Sequence, residues 1–173
     1  MISFSKKTLN MDKLYLLLQE RRDLIINNFL AYDDNRQNIE DFDLTYDDDS
    51  IVLSCQFIGK AQIYRILEVS DYKGLEFDSF GYLRLSCNRT TASLKIEDLL
   101  SFGILDESKI VYVATYEASE ESYSTECRLL GVYNSFEELR LQFDKLASST
   151  EDIEVHVVRL NALEDLYLNG YQE

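Results

Sequence analysis

No glycine-rich loop, no paired cysteines and no long apolar run occur in this chain, and each absence removes a class of chemistry. The six glycines are scattered singly, so the sequence encodes no backbone cradle for a nucleotide phosphate. Cys55, Cys87 and Cys127 are odd in number, far apart and without a CxxC or CxxH neighbour, which predicts reduced, mostly buried thiols and no disulfide framework. The one histidine, His156, alternates with Val155 and Val157, where a solvent-facing or hydrogen-bonded imidazole is expected in place of a catalytic base. A zinc site would have to rely almost entirely on carboxylates, which suit zinc poorly. No cofactor and no metal are expected.

Nothing approaches the run of about 18 apolar residues that a membrane span requires, and Met1 to Thr8 lacks the basic, apolar, small-residue order of a signal peptide. Cytoplasmic residence follows as the expectation, with no membrane partner. Without a secretory signal the sequon Asn88-Arg89-Thr90 is a chance match.

Positive charge is scarce: 17 basic residues face 32 acidic ones, for a formal net charge of -15 and a pI near 4.4. Such a chain repels nucleic acid and anionic membranes and is drawn to basic surfaces. Solubility alone makes many cytosolic proteins acidic, so the placement of the carboxylates has to decide. The densest stretch runs from Tyr32 to Ser50, where Asp33, Asp34, Glu40, Asp41, Asp43, Asp47, Asp48 and Asp49 are answered only by Arg36. The triple aspartate is not an EF-hand, because no glycine sits at the turn position and no glutamate closes a twelve-residue loop.

With 46% hydrophobic and 12% aromatic residues, the chain can bury a core and belongs with globular proteins. The pattern predicts an α+β fold with a long N-terminal helix, an antiparallel β meander and a C-terminal ββαβ unit. These are expected as two packed domains, residues 1–108 and 109–173. Leu14, Leu17, Leu18, Leu24, Ile25 and Phe29 recur at helical spacing over residues 9–30. Tyr15, Leu16, Ile26 and Leu30 widen that arc, so the helix is expected to be covered on two sides, by the core or by a second copy in a homodimer. Phe42, Leu44 and Tyr46 alternate as an edge strand does, and Ile51, Leu53, Cys55 and Phe57 mark the next strand. Gly59-Lys60 then predicts a two-residue turn into residues 61–69. A strand over Phe80–Cys87 and a short helix over Ile96–Phe102, closed by Gly103, complete the first half.

In the second half, strands over Lys109–Glu117 and Glu126–Tyr133 flank an acidic loop. Ser135 with Glu138 forms a capping box for a helix whose buried stripe is Phe136, Leu139, Phe143 and Leu146. Ile153, Val155 and Val157 alternate in a last strand, and Ala162–Leu168 is expected to add a helical turn. Ile110-Val111-Tyr112-Val113, Leu129-Leu130-Gly131-Val132-Tyr133 and Ser135-Phe136-Glu137-Glu138 resemble small uncharacterised domains of bacterial and phage proteins over residues 110–160. That resemblance implies a fold and a prokaryotic or viral setting; it carries no active-site residue.

Carboxylate pairs are plentiful, so residue type alone leaves a metal-dependent nuclease or glycosidase open as an alternative. A nuclease also needs a basic track, and the sequence offers only isolated cations such as Arg84, Arg89 and Lys95. Tyrosines lie beside the carboxylates at Tyr32, Tyr46, Tyr72, Tyr116 and Tyr123, which suits a binding protein that imitates nucleic acid and anchors itself with aromatic rings. In size, acidity and lack of catalytic motifs the chain is similar to phage anti-CRISPR inhibitors and to immunity proteins that neutralise nuclease toxins. That similarity implies a basic nucleic-acid-handling partner. The expected contact residues are Asp33, Asp34, Glu40, Asp41, Asp43, Tyr46, Asp47, Asp48 and Asp49, with Glu117, Glu120, Glu121, Tyr123 and Glu126 from the later loop. A subunit of a homo-oligomer or larger assembly is the alternative outside inhibition.

Overall fold

Isolated helices of this length owe most of their stability to an apolar face that something else covers, and the architecture is built around one such helix. The computed structural model describes residues 1–31, 39–86, 89–120, 124–145 and 153–161, with the side chains of residues 40, 117–120, 124–127 and 144 outside that description. Helix α1 (Met11–Ala31) opens at Asn10, whose Oδ1 accepts from the Lys13 backbone N–H at 3.1 Å and satisfies one of the unpaired first-turn donors. It buries Leu14, Leu17, Leu18, Ile25, Ile26 and Phe29. Leu24, expected inside, is exposed, and Ile26, expected at the flank, is buried. The shift has a visible cause in Arg21 and Arg22, which lie on the covered side: Arg21 reaches the Ser93 carbonyl and Arg22 the Phe42 carbonyl. Their aliphatic stems pack while their charged ends find acceptors.

Two sheets flank α1. The smaller is antiparallel, ordered β2 (Ile39–Asp47), β3 (Ser50–Phe57), β4 (Ile63–Val69). Alternation sends Phe42, Leu44 and Tyr46 inward against Cys55, Leu53 and Ile51 of β3. The loop between β3 and β4 is longer than the expected two-residue turn, because Gln56 is the last residue of β3 to pair with β4 and its partner is Ile63.

The larger sheet contains β1 (Ile2–Phe4), β5 (Leu75–Phe77), β6 (Tyr82–Leu85), β7 (Arg89–Lys95), β8 (Ile110–Glu120), β9 (Ser124–Tyr133) and β10 (Ile153–Arg159). Its order is β7-β6-β5-β1-β10-β8-β9. The sheet is mixed: β1 runs parallel to β10, and the other described pairs are antiparallel. Helix α2 (Ile96–Ser101) follows β7, and α3 (Phe136–Lys145) joins β9 to β10 in the chain. The fold is therefore α+β.

The core is continuous from sheet to sheet through α1. Phe4 stands edge-on to Phe77 at 5.5 Å and to Tyr112 at 6.3 Å, an arrangement that adds to plain burial. On the other side Phe29 stacks on Tyr64 at 6.0 Å. Gly74 makes the closest approach, since a Cβ there would stand 2.2 Å from the Phe4 carbonyl oxygen. Of the three cysteines, Cys55 is a buried free thiol; the side chains of Cys87 and Cys127, like Leu146 and the tail 162–173, lie outside the described residues. No helix among the described residues is long and apolar enough to cross a membrane.

Candidate protein-interaction surface

Strand alternation divides the acidic segment into two faces. Phe42, Leu44 and Tyr46 lean onto the core, so Asp41, Asp43, Thr45 and Asp47 are exposed on the opposite face of β2. Alternate residues of a strand are about 7 Å apart, a spacing of the same order as successive phosphates on a nucleic-acid strand. β2 is also an edge strand, so this row borders the molecule.

Asp47 pairs with Ser50, leaving Asp48 and Asp49 alone in the turn with φ of 46° and 58°. Two successive left-handed residues make a type I′ turn, whose twist matches a hairpin and whose favoured sequence is Asn-Gly. Aspartate tolerates this conformation better than most side chains but less well than glycine. The row and the turn together project Asp41, Asp43, Asp47, Asp48 and Asp49 outward, and among the described residues no ion pair reaches them.

The other expected contact residues fall differently. Tyr46 is on the inner face, with its ring 5.3 Å from Tyr15 and its hydroxyl donating to Asp12 Oδ1 at 3.0 Å. Desolvation, and then that bond, hold the Tyr46 hydroxyl above the usual phenol range. Asp33 and Asp34 lie outside the described residues, as does the Glu40 side chain. Glu117, Glu120 and Glu126 have backbone places on β8 and β9, where Glu117 pairs with Cys127 and Glu126 with Ala118. Their side chains, and all of Glu121 and Tyr123, lie outside the description. The two acidic segments therefore sit on different sheets. Of the other singled-out tyrosines, Tyr72 is fully exposed and Tyr116 packs on the core.

Two further features had no sequence signal. One is a cleft of about 240 Å³ where β4 meets β5 and β6, lined by Glu68, Lys73, Glu76, Arg84 and Ser86. Arg65, beside the cleft, binds Glu68 at 2.8 Å, and that bond holds the Glu68 carboxyl below its ordinary range. The other is Glu107, whose Oε1 accepts from the Phe136 backbone N–H at 2.7 Å and from the Tyr112 hydroxyl at 3.0 Å. A carboxylate at a helix N-terminus meets unpaired donors and the positive end of the helix dipole. His156 is half-buried, its Nε2 3.7 Å from Glu154. Among the described residues, no three His, Cys, Asp or Glu side chains converge in an arrangement able to hold a metal ion.

No protein-family model, curated protein or solved structure matches the chain.

Proposed function

We propose that this chain is an acidic binding protein that occupies the basic nucleic-acid-binding surface of a partner protein, with the β2–β3 hairpin as its contact. The observation that carries the reading is the outward row Asp41, Asp43 and Asp47, continued by Asp48 and Asp49 at the turn. Carboxylates at strand spacing on a rigid edge imitate a phosphate backbone. In a chain of net charge -15 they add a field that accelerates encounter with a cationic protein. An aspartate pair where Asn-Gly would be more comfortable is consistent with a turn kept for charge at some expense of stability.

An inhibitor of a nucleic-acid-guided nuclease or an immunity protein for a nuclease toxin fits this chemistry, in the cytoplasm of a bacterium or a phage-infected cell. The order β8, β9, α3, β10 supports reading residues 110–160 as a ββαβ module of the bacterial and phage kind. The test is retention of protein from a bacterial lysate on the immobilised chain at low and high salt, repeated with Asp47, Asp48 and Asp49 changed to lysine. A basic nucleic-acid-handling protein should be retained at low salt, released by salt or by added nucleic acid, and lost in the triple variant. Retention that ignores both salt and the variant would sink the reading.

A further inference from the structure

β5 and β6 pair at one position, Phe77 with Leu83, and part beyond it. A longer ladder would set Glu76 opposite Arg84, but β5 follows β1, with Leu75 against Phe4, while β6 follows β7, with Arg84 against Thr90. Gly74 keeps β5 on the β1 side, since its backbone lies so close to the Phe4 carbonyl that no Cβ fits between them. β4 closes the opening. In the turn from β4 to β5 the Ser70 N–H donates to the Lys73 carbonyl at 2.7 Å, and the Ser86 hydroxyl donates to the Arg65 carbonyl at 2.6 Å. The cleft of about 240 Å³ is this gap, lined from all three strands, and hydrogen bonds fix its walls.

Alternation sorts what the walls present. Phe77 and Leu83 are wholly buried, so Glu76 and Arg84, one residue away, turn to the opposite face. Ile66, Leu67 and Leu85 line the cleft and are buried, which gives it an apolar wall. Glu68 is taken up by Arg65. Lys73 and Glu76 close no ion pair among the described residues, and the Arg84 guanidinium touches Met1 Sδ at 3.3 Å. Both signs of charge thus stand beside apolar surface.

Charge and size select the ligand. A net charge of -15 repels a free anion, and Lys73 and Arg84 oppose a free cation in the cleft. A molecule that carries both charges and no net charge meets neither penalty. The volume lies below the roughly 300–1,000 Å³ of sites for drug-sized ligands, so the molecule is small. We propose that the cleft binds a free α-amino acid with an apolar side chain, its carboxylate on Arg84 and Lys73, its ammonium on Glu76 and its side chain against Ile66, Leu67 and Leu85. Charge-assisted hydrogen bonds at both ends separate such a zwitterion from the terminal residue of a peptide, which keeps one of the two charges. No residue of the β2–β3 hairpin takes part.

NMR titration of the purified chain with L-leucine, L-methionine and L-phenylalanine in turn tests the site. At least one should give saturable shifts at the backbone amides of Gly74, Glu76 and Ser86. The N-acetyl and amide forms of that amino acid, which each lack one charge and stand for the two ends of a peptide, should bind at least about tenfold more weakly. Glu76→Gln should weaken the free amino acid by a similar factor with unchanged circular dichroism, while changing Asp47, Asp48 and Asp49 to lysine should leave its binding unaltered. No saturable shift with any of the three, equal binding of the N-acetyl or amide form, or indifference to Glu76→Gln would overturn the proposal.

Discussion

Asp48 and Asp49 hold left-handed backbone that glycine adopts freely, and a non-glycine residue there costs of the order of 1 kcal/mol. Replacing the pair by Asn-Gly should raise stability by about 0.5–1 kcal/mol in urea denaturation while weakening partner retention. Equal or lower stability would mean that the turn is not strained. Asp106 makes a separate statement about pH. Its carboxylate accepts from the Ser108 hydroxyl at 2.6 Å and lies 2.9 Å from Lys109. The Ser108 bond first, and then Lys109, hold its carboxyl at about 2. A carboxyl depressed in the fold contributes stability that is present above its ordinary pKa and lost as pH falls toward about 2. Direct NMR titration of Asp106 should place its midpoint near 2 in the native chain, and Ser108→Ala should bring it back toward the ordinary range.

At the scale of elements, the helix α3 shows where sequence reading stops. Ser135 Oγ does accept from the Glu138 N–H at 3.2 Å, as the local spacing implied, while the Glu138 side chain accepts from the Asn134 N–H at 3.3 Å, one residue before the expected cap. Glu107, 29 residues earlier, carried no such cue, because its role exists only once β8 and α3 have packed. Its removal leaves the buried Tyr112 hydroxyl and the Phe136 N–H without this acceptor. Glu107→Ala should therefore cost about 1–3 kcal/mol by chemical denaturation, and Glu107→Gln should recover most of it. An alanine variant as stable as the native chain would show that water serves equally well there.

The strands follow the same rule of locality. β3 and β10 were readable because Ile51, Leu53 and Cys55, and Ile153, Val155 and Val157, alternate over several residues. β1 and β5 are three residues each and too short to show a period. Their places are set by partners far along the chain, Val155 opposite Ile2 and Leu75 opposite Phe4. The acidity of β2 was readable as composition, but only the pleat separates Asp41, Asp43 and Asp47 from Tyr46, which is turned to α1.

Across the whole molecule, a net charge of -15 means that attraction to a basic partner weakens as salt rises. Asp47 ends β2 and Asp48 and Asp49 hold left-handed backbone that lysine tolerates less well than aspartate, so changing all three to lysine should cost about 1 kcal/mol of stability, with the variant still folded by circular dichroism. The decisive measurement is the affinity of the retained partner for the native chain and for that triple variant across a series of salt concentrations. The hairpin account predicts at least about a tenfold loss for the variant at low salt, about 1.4 kcal/mol, and a flatter salt dependence. Equal affinities with equal salt slopes would contradict it and move the contact away from β2–β3.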